Sequence, residues 1–226
     1  MPATKDTLFS QTDTTAGGSD FTWTGRDVAA GGRWVYAVFI GDGPAARQPD
    51  SITGSTLGAF SHIVTALNSV QEIIVSVWRK WSSGALTAEV LTQVDPGVAQ
   101  YNRRYFLFLT VQGSESSAAG ATAVSSTTAS GGDPSISLNP EAVDSYLFAG
   151  LCYRENGAGD QAPTGGATSE YDSGGGGFAF AAQAASKAST STGSHSIAFA
   201  GEDVLGNWQM AMFEVPSAVA VVLNDA

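Results

Sequence analysis

Two histidines, one cysteine and 21 acidic side chains are the reactive inventory of this 226-residue chain. Metal chemistry needs several His, Cys or carboxylate ligands at short spacing. His62 and His195 stand far apart, neither with a second ligand beside it, so no metal site is expected. Calcium would use loop carboxylates, and Asp42 with Asp50, or Asp160 with Glu170 and Asp172, are the available sets. None follows the alternating Asp pattern of a dedicated calcium loop. Nucleophilic catalysis lacks a Gly-x-Ser-x-Gly elbow, and two histidines leave little choice of base. Gly174-Gly175-Gly176-Gly177 is not followed by the Lys-Ser/Thr of a phosphate cradle. Cys152 lies in the apolar run 146–153 with only Arg154 as a basic neighbour, which reads as a buried, inert thiol. No catalytic residue, metal or cofactor is therefore expected. One route to catalysis stays open, because a glycosidase needs only two facing carboxylates, and these leave no fixed spacing.

Binding chemistry rests on aromatic and basic side chains. Of the five tryptophans, Trp34, Trp78 and Trp208 sit inside strand-like apolar runs, where an aromatic usually serves packing. Trp23, in a polar N-terminal stretch, and Trp81, at the end of a run, are candidates for surface binding. Tyr101, beside Arg103 and Arg104, is a third. Lys plus Arg number 10 against 21 acids, for a net charge of −11. Phosphate-backbone binding needs clustered cations, so no nucleic-acid partner is expected. The two dense basic spots, Arg103-Arg104 and Arg79-Lys80, read better as partners for carboxylates on a neighbouring subunit.

Elements that position these residues are legible as strands between turn signals. Residues 33–40, 73–81, 103–111, 145–153 and 207–215 are apolar, β-branched or aromatic and bounded by Gly, Pro, Ser or Asp. They are expected to form the core. The short gap at Ser82 to Gly84 predicts a hairpin over 73–92, and the alternation at 178–183 and 197–200 predicts a second. A weak strand is expected within Ala121 to Ala129. Gly58 to Gln71 fits either a short helix or a strand at 59–67. Helix elsewhere is not expected, and no sequence repeat of fixed period appears. The class is all-β: one two-sheet antiparallel β-sandwich over residues 21–215, with at most one short helix. Residues 1–20 and 216–226 are expected as an N-terminal arm and a C-terminal tail, with Leu8, Phe9, Val219 and Val221 as apolar handles. No run of about 18 apolar residues occurs, so no membrane insertion is expected. The start, Met1-Pro2-Ala3-Thr4-Lys5-Asp6, lacks a secretory pattern, which predicts synthesis in a cytoplasm.

The succession of Trp23, Val28-Ala29-Ala30-Gly31, Arg33-Trp34-Val35-Tyr36, Asp50-Ser51-Ile52-Thr53-Gly54 and Ile74-Val75-Ser76-Val77-Trp78 has a familiar rhythm. It continues through Gly84-Ala85-Leu86-Thr87-Ala88-Glu89-Val90 and Leu147-Phe148-Ala149-Gly150-Leu151 to Trp208. It resembles the jelly-roll-like β-sandwich structural proteins of bacteriophage and prophage particles, whose fold is similar to concanavalin and laminin-G sandwiches. The resemblance covers most of residues 20–215 and carries over no functional residue. It implies a virion component of capsid exterior, fibre, tail or baseplate. Its partners would be other virion proteins and copies of itself. A host-surface glycan is the alternative ligand, and a glycan-degrading enzyme the alternative activity.

Overall fold

Ten-residue stretches such as Arg33–Asp42 are buried at every position, a pattern that needs protein on both faces of the strand. The computed structural model supplies the reason. It describes residues 1–13, 20–43, 46–68, 72–97, 101–117, 119–127, 132–153, 161–173, 180–200 and 207–218. Gly174 to Ala179, Arg154, Asp160, Val219 and Val221 lie outside these.

In chain order the strands are β1 (Thr4–Asp13), β2 (Phe21–Val28), β3 (Arg33–Asp42), β4 (Ser51–Gly54), β5 (Gly58–Ala59), β6 (Ser61–Asn68), β7 (Ile73–Ser82), β8 (Leu86–Val94) and β9 (Arg103–Gln112). They continue as β10 (Thr122–Thr127), β11 (Ser135–Leu138), β12 (Tyr146–Tyr153), β13 (Ala162–Thr164), β14 (Thr168–Asp172), β15 (Ala181–Ala188), β16 (His195–Ala200) and β17 (Trp208–Val215). The described residues contain no helix, and 58–68, which the sequence left between helix and strand, is β5 and β6.

Four antiparallel sheets stack in layers. Two five-stranded sheets, β1-β9-β3-β7-β6 and β10-β17-β12-β15-β14, lie at the centre. β2-β8-β4-β5 covers the outer face of the first, and β11-β16-β13 that of the second. Strand for strand, β1, β9, β3, β7 and β6 correspond to β10, β17, β12, β15 and β14, and β2, β8 and β4 to β11, β16 and β13. Register agrees too, since Trp34 opposes Val111 where Tyr146 opposes Val215. The all-β sandwich class therefore holds, twice over. Residues 1–112 and 122–215 each fold as a jelly roll whose chain alternates between two sheets. The two rolls stack through their five-stranded sheets. Nothing in the residue identities announces this duplication, because packing can be met by many apolar combinations.

Each layer boundary is an apolar core. Tyr36, Val38, Ile40, Val75, Leu107, Phe148, Ala211 and Phe213 fill the space between the two rolls. Tyr36 stacks on Phe213 with ring centroids 4.4 Å apart. Gly150 presents no side chain there; a Cβ on it would lie 3.1 Å from Val75. Alternate residues of the same strands point outward: Val35, Ala37 and Phe39 into the first roll, Leu147, Leu151, Met210 and Met212 into the second.

Three expectations change. The proposed hairpins do not pair: β7 joins β3 and β6, while β8 crosses to the sheet of β2 and β4. β15 and β16 part in the same way. A three-residue turn serves a crossing between sheets about 10 Å apart as well as a hairpin. Residues 4–13, expected in a free arm, form β1 and pair along β9 from Thr4↔Gln112 to Asp13↔Arg104. Their alternation was too polar to betray a strand whose outer side is exposed.

Candidate functional site at the loop-bearing pole

Both rolls point the same way. Near one pole the Cys152 thiol lies 3.7 Å from the Gly41 carbonyl, joining the ends of β12 and β3. At the other, Ala3 N–H donates to Asp144 O at 2.9 Å, placing the start of β1 beside the start of β12. At the first pole β1, β3, β6, β8, β10, β12, β14 and β16 therefore end, and β2, β4, β7, β9, β11, β13, β15 and β17 begin. The sequence between these ends and starts is rich in glycine. The opposite pole carries shorter turns, the crossover 113–121 and both described chain ends. There Met1 donates from its ammonium to Ala218 O, and Ala218 N–H to Gly113 O.

At this pole of the first roll sits Arg104, 2% exposed. Its Nε and Nη2 donate to Asp13 Oδ2 at 3.0 and 2.5 Å, and its Nη1 to Asp95 Oδ2 at 2.7 Å. Gln93 Nε2 donates to the other Asp95 oxygen at 2.5 Å. The guanidinium lies over the rings of Phe21 and Tyr101, 5.2 and 5.4 Å from their centroids. Burial pushes the Asp95 carboxyl above its ordinary 3.8, outweighing the lowering by Gln93 and Arg104. This network ties the end of β1, the end of β8 and the start of β9 together. Its two acids face one cation rather than each other across a cleft, so it holds the pole and offers no acid–base pair.

The second roll is built differently. Gln183 Nε2 donates to Gln161 O at 2.8 Å and to Asp172 Oδ2 at 3.0 Å. Both side-chain polar atoms of Gln161, Oε1 of Gln183 and Nε1 of Trp208 are buried without a hydrogen-bond partner. Gln161 and Gln183 are 3% and 2% exposed. A buried polar atom left unpaired costs about 1–3 kcal/mol, and the first roll holds such atoms too, at Trp23 Nε1 and Gln93 Oε1. Sequence reasoning missed these glutamines; they lie 22 residues apart and only the stacking of the covering sheet on the five-stranded sheet brings them together.

The three aromatic candidates are not brought together. Trp23 is 3% exposed and packs on Phe106, so it offers no free face. Tyr101, 1% exposed, lies against Phe39 and donates its hydroxyl to Arg47 O at 2.6 Å. Burial raises its phenol well above the ordinary range. Trp81 is half-buried near the opposite pole, edge-on to Trp34 at 5.4 Å and covering Gly32, where a Cβ would lie 2.4 Å from its ring. Trp23 and Tyr101 are buried by neighbours on other strands, and half-buried Trp81 packs on its cross-strand partner Trp34, contacts that spacing along the chain does not reveal.

Most of the remaining candidates have partners within the chain. His62 contacts Thr65 Oγ1 at 2.8 Å and the edge of Trp78. His195 Nε2 lies 3.0 Å from Ser191 O and 3.3 Å from Ser191 Oγ. A ring nitrogen donating to that carbonyl cannot also take the hydroxyl proton, so this Ser–His contact is not a nucleophile pair. Glu170 takes Lys5 and Ser186, Asp42 is buried, and Asp50 is exposed. Among the described residues no group of three His, Cys, Asp or Glu could hold a metal ion, and no helix is long and apolar enough to cross a membrane.

The fold and site together define a tandem jelly-roll protein with a loop-bearing pole. No family model, curated protein or solved structure matches the chain.

Proposed function

We propose that this chain is a structural component of a bacteriophage virion that works by contact with neighbouring subunits rather than by catalysis. The observation that carries the reading is polarity: the strands of two stacked jelly rolls run the same way, and both described chain ends meet at one pole. Such a block can be fixed to a particle at one end and present the other to its surroundings. Jelly rolls recur in viral capsids and lectins, so the fold alone is an analogy and the polarity adds the geometry. Mass spectrometry and immunogold labelling of gradient-purified particles from the source strain test this. Stoichiometric chain and labelled particles are expected; particles free of the chain refute it.

A second reading is receptor or glycan recognition at the same pole. The side-chain amide of Gln161 and the Oε1 of Gln183, both without a partner within the chain, favour it, because amides are among the groups that bind sugar hydroxyls. A glycan array with the purified chain should give hits that Gln161→Leu abolishes. A blank array removes this reading and leaves the first standing.

A further inference from the structure

Stacking two equivalent rolls creates two equivalent lateral sides, each exposing the edge of one five-stranded sheet over the edge of the other. One side presents β1 and β14, the other β6 and β10. Sheet edges invite pairing with other chains, and proteins usually blunt them with charge or proline. The β1 and β14 side is blunted. It carries Lys5, Asp6, Asp13, Glu170 and Asp172, and a Lys5–Glu170 ion pair spans the two sheets. The other side is not. β6 reads Ser-His-Ile-Val-Thr-Ala-Leu-Asn and β10 Thr-Ala-Val-Ser-Ser-Thr, without Asp, Glu, Lys, Arg or Pro.

We infer that the uncharged β6–β10 side is where two copies of this chain join, by antiparallel pairing of β10 with the β10 of a second copy. Backbone geometry supports it. Glu214 N–H donates to Ala121 O at 2.9 Å, so Ala121, Ala123 and Ser125 turn their backbone groups toward β17. Thr122, Val124 and Ser126 then aim their N–H and C=O groups outward, along an unpaired edge. All three residues are exposed, Val124 by 56%, and Leu67 on β6 is 40% exposed beside it. A groove of about 280 Å³ runs between the strands, lined by Thr65, Leu67, Val124, Ser126 and Gln209.

Charge selects the occupant. Copies of a chain of net charge −11 repel one another, and with salt screening distant charges the repulsion is least where both facing surfaces lack carboxylates, as this edge pair does. Symmetry agrees: one twofold axis normal to the sheets aligns β10 with β10 and β6 with β6 at once, a self-complementary interface. Both five-stranded sheets would then continue across two chains.

Sedimentation velocity on the full chain tests this, independently of any virion role. The unsubstituted chain is expected at twice its 23.1 kDa mass at micromolar concentration. Val124→Lys adds an edge charge, and Ser126→Pro removes an outward N–H while leaving the β17 ladder intact. Each should weaken the dimer by about tenfold or more with an unchanged circular dichroism spectrum. In the unsubstituted chain, the Val124 amide should exchange more slowly as concentration rises. A monomer at about 100 µM, a dimer indifferent to both substitutions, or fast Val124 exchange in the dimer would each overturn the inference. None of these outcomes bears on whether the chain is found in particles.

Discussion

Glu214 is 1% exposed and holds the second roll to the crossover that precedes it. Its Oε2 accepts from Ala121 N–H at 2.9 Å and Glu141 N–H at 2.8 Å; its Oε1 accepts from Ala142 N–H at 3.1 Å and Ser145 Oγ–H at 2.6 Å. Glu214→Ala orphans three amides, while Ser145 can redirect its proton to Ala142 O, 2.9 Å away. Each orphaned buried group costs about 1–3 kcal/mol, and partial access of water puts the expected sum near the low end, about 4 kcal/mol. That is a large share of the roughly 5–15 kcal/mol by which domains are stable. Glu214→Gln keeps one oxygen for Ala121 and Glu141 and can donate its new N–H to Ser145 Oγ, so only the Ala142 bond is lost. Its expected cost is about 1–2 kcal/mol. Urea unfolding with linear extrapolation measures both. The reasoning fails if the alanine variant loses under about 1.5 kcal/mol, or if the two variants are equally destabilised.

Three further outcomes are expected. Gly150→Val should destabilise by about 1–3 kcal/mol through overpacking against Val75, Ile40 and Val38, with Gly150→Ala milder; equal stability of all three would contradict the close contact between rolls. Cys152, fully buried, should resist a thiol reagent in the folded chain and react stoichiometrically in denaturant, so rapid native labelling would count against the central core. Burial lowers His62 from its ordinary 6.5, so just below pH 6.5 the unfolded chain holds more protons and stability falls on acidification through that window. His62→Gln should flatten the dependence of Tm on pH there; an unchanged slope would refute the assignment.

The strands at the centre were readable in the residues. Runs 33–40, 73–81, 103–111, 145–153 and 207–215 became β3, β7, β9, β12 and β17, because a strand buried on both faces must be apolar throughout and breakers must bound it. Partner choice was not readable. A turn of a few residues between β7 and β8 suits a hairpin or a crossing, and only the covering sheets decide. Trp23 and Tyr101 looked available because their neighbours in sequence are polar; Phe106, Phe39 and the Arg47 carbonyl, brought in by pairing, bury them. The duplication itself belongs to the tertiary structure alone. A jelly roll asks each strand for apolar character and alternation, not for particular side chains, so two rolls can share eight strand positions while Trp34 stands in one where Tyr146 stands in the other.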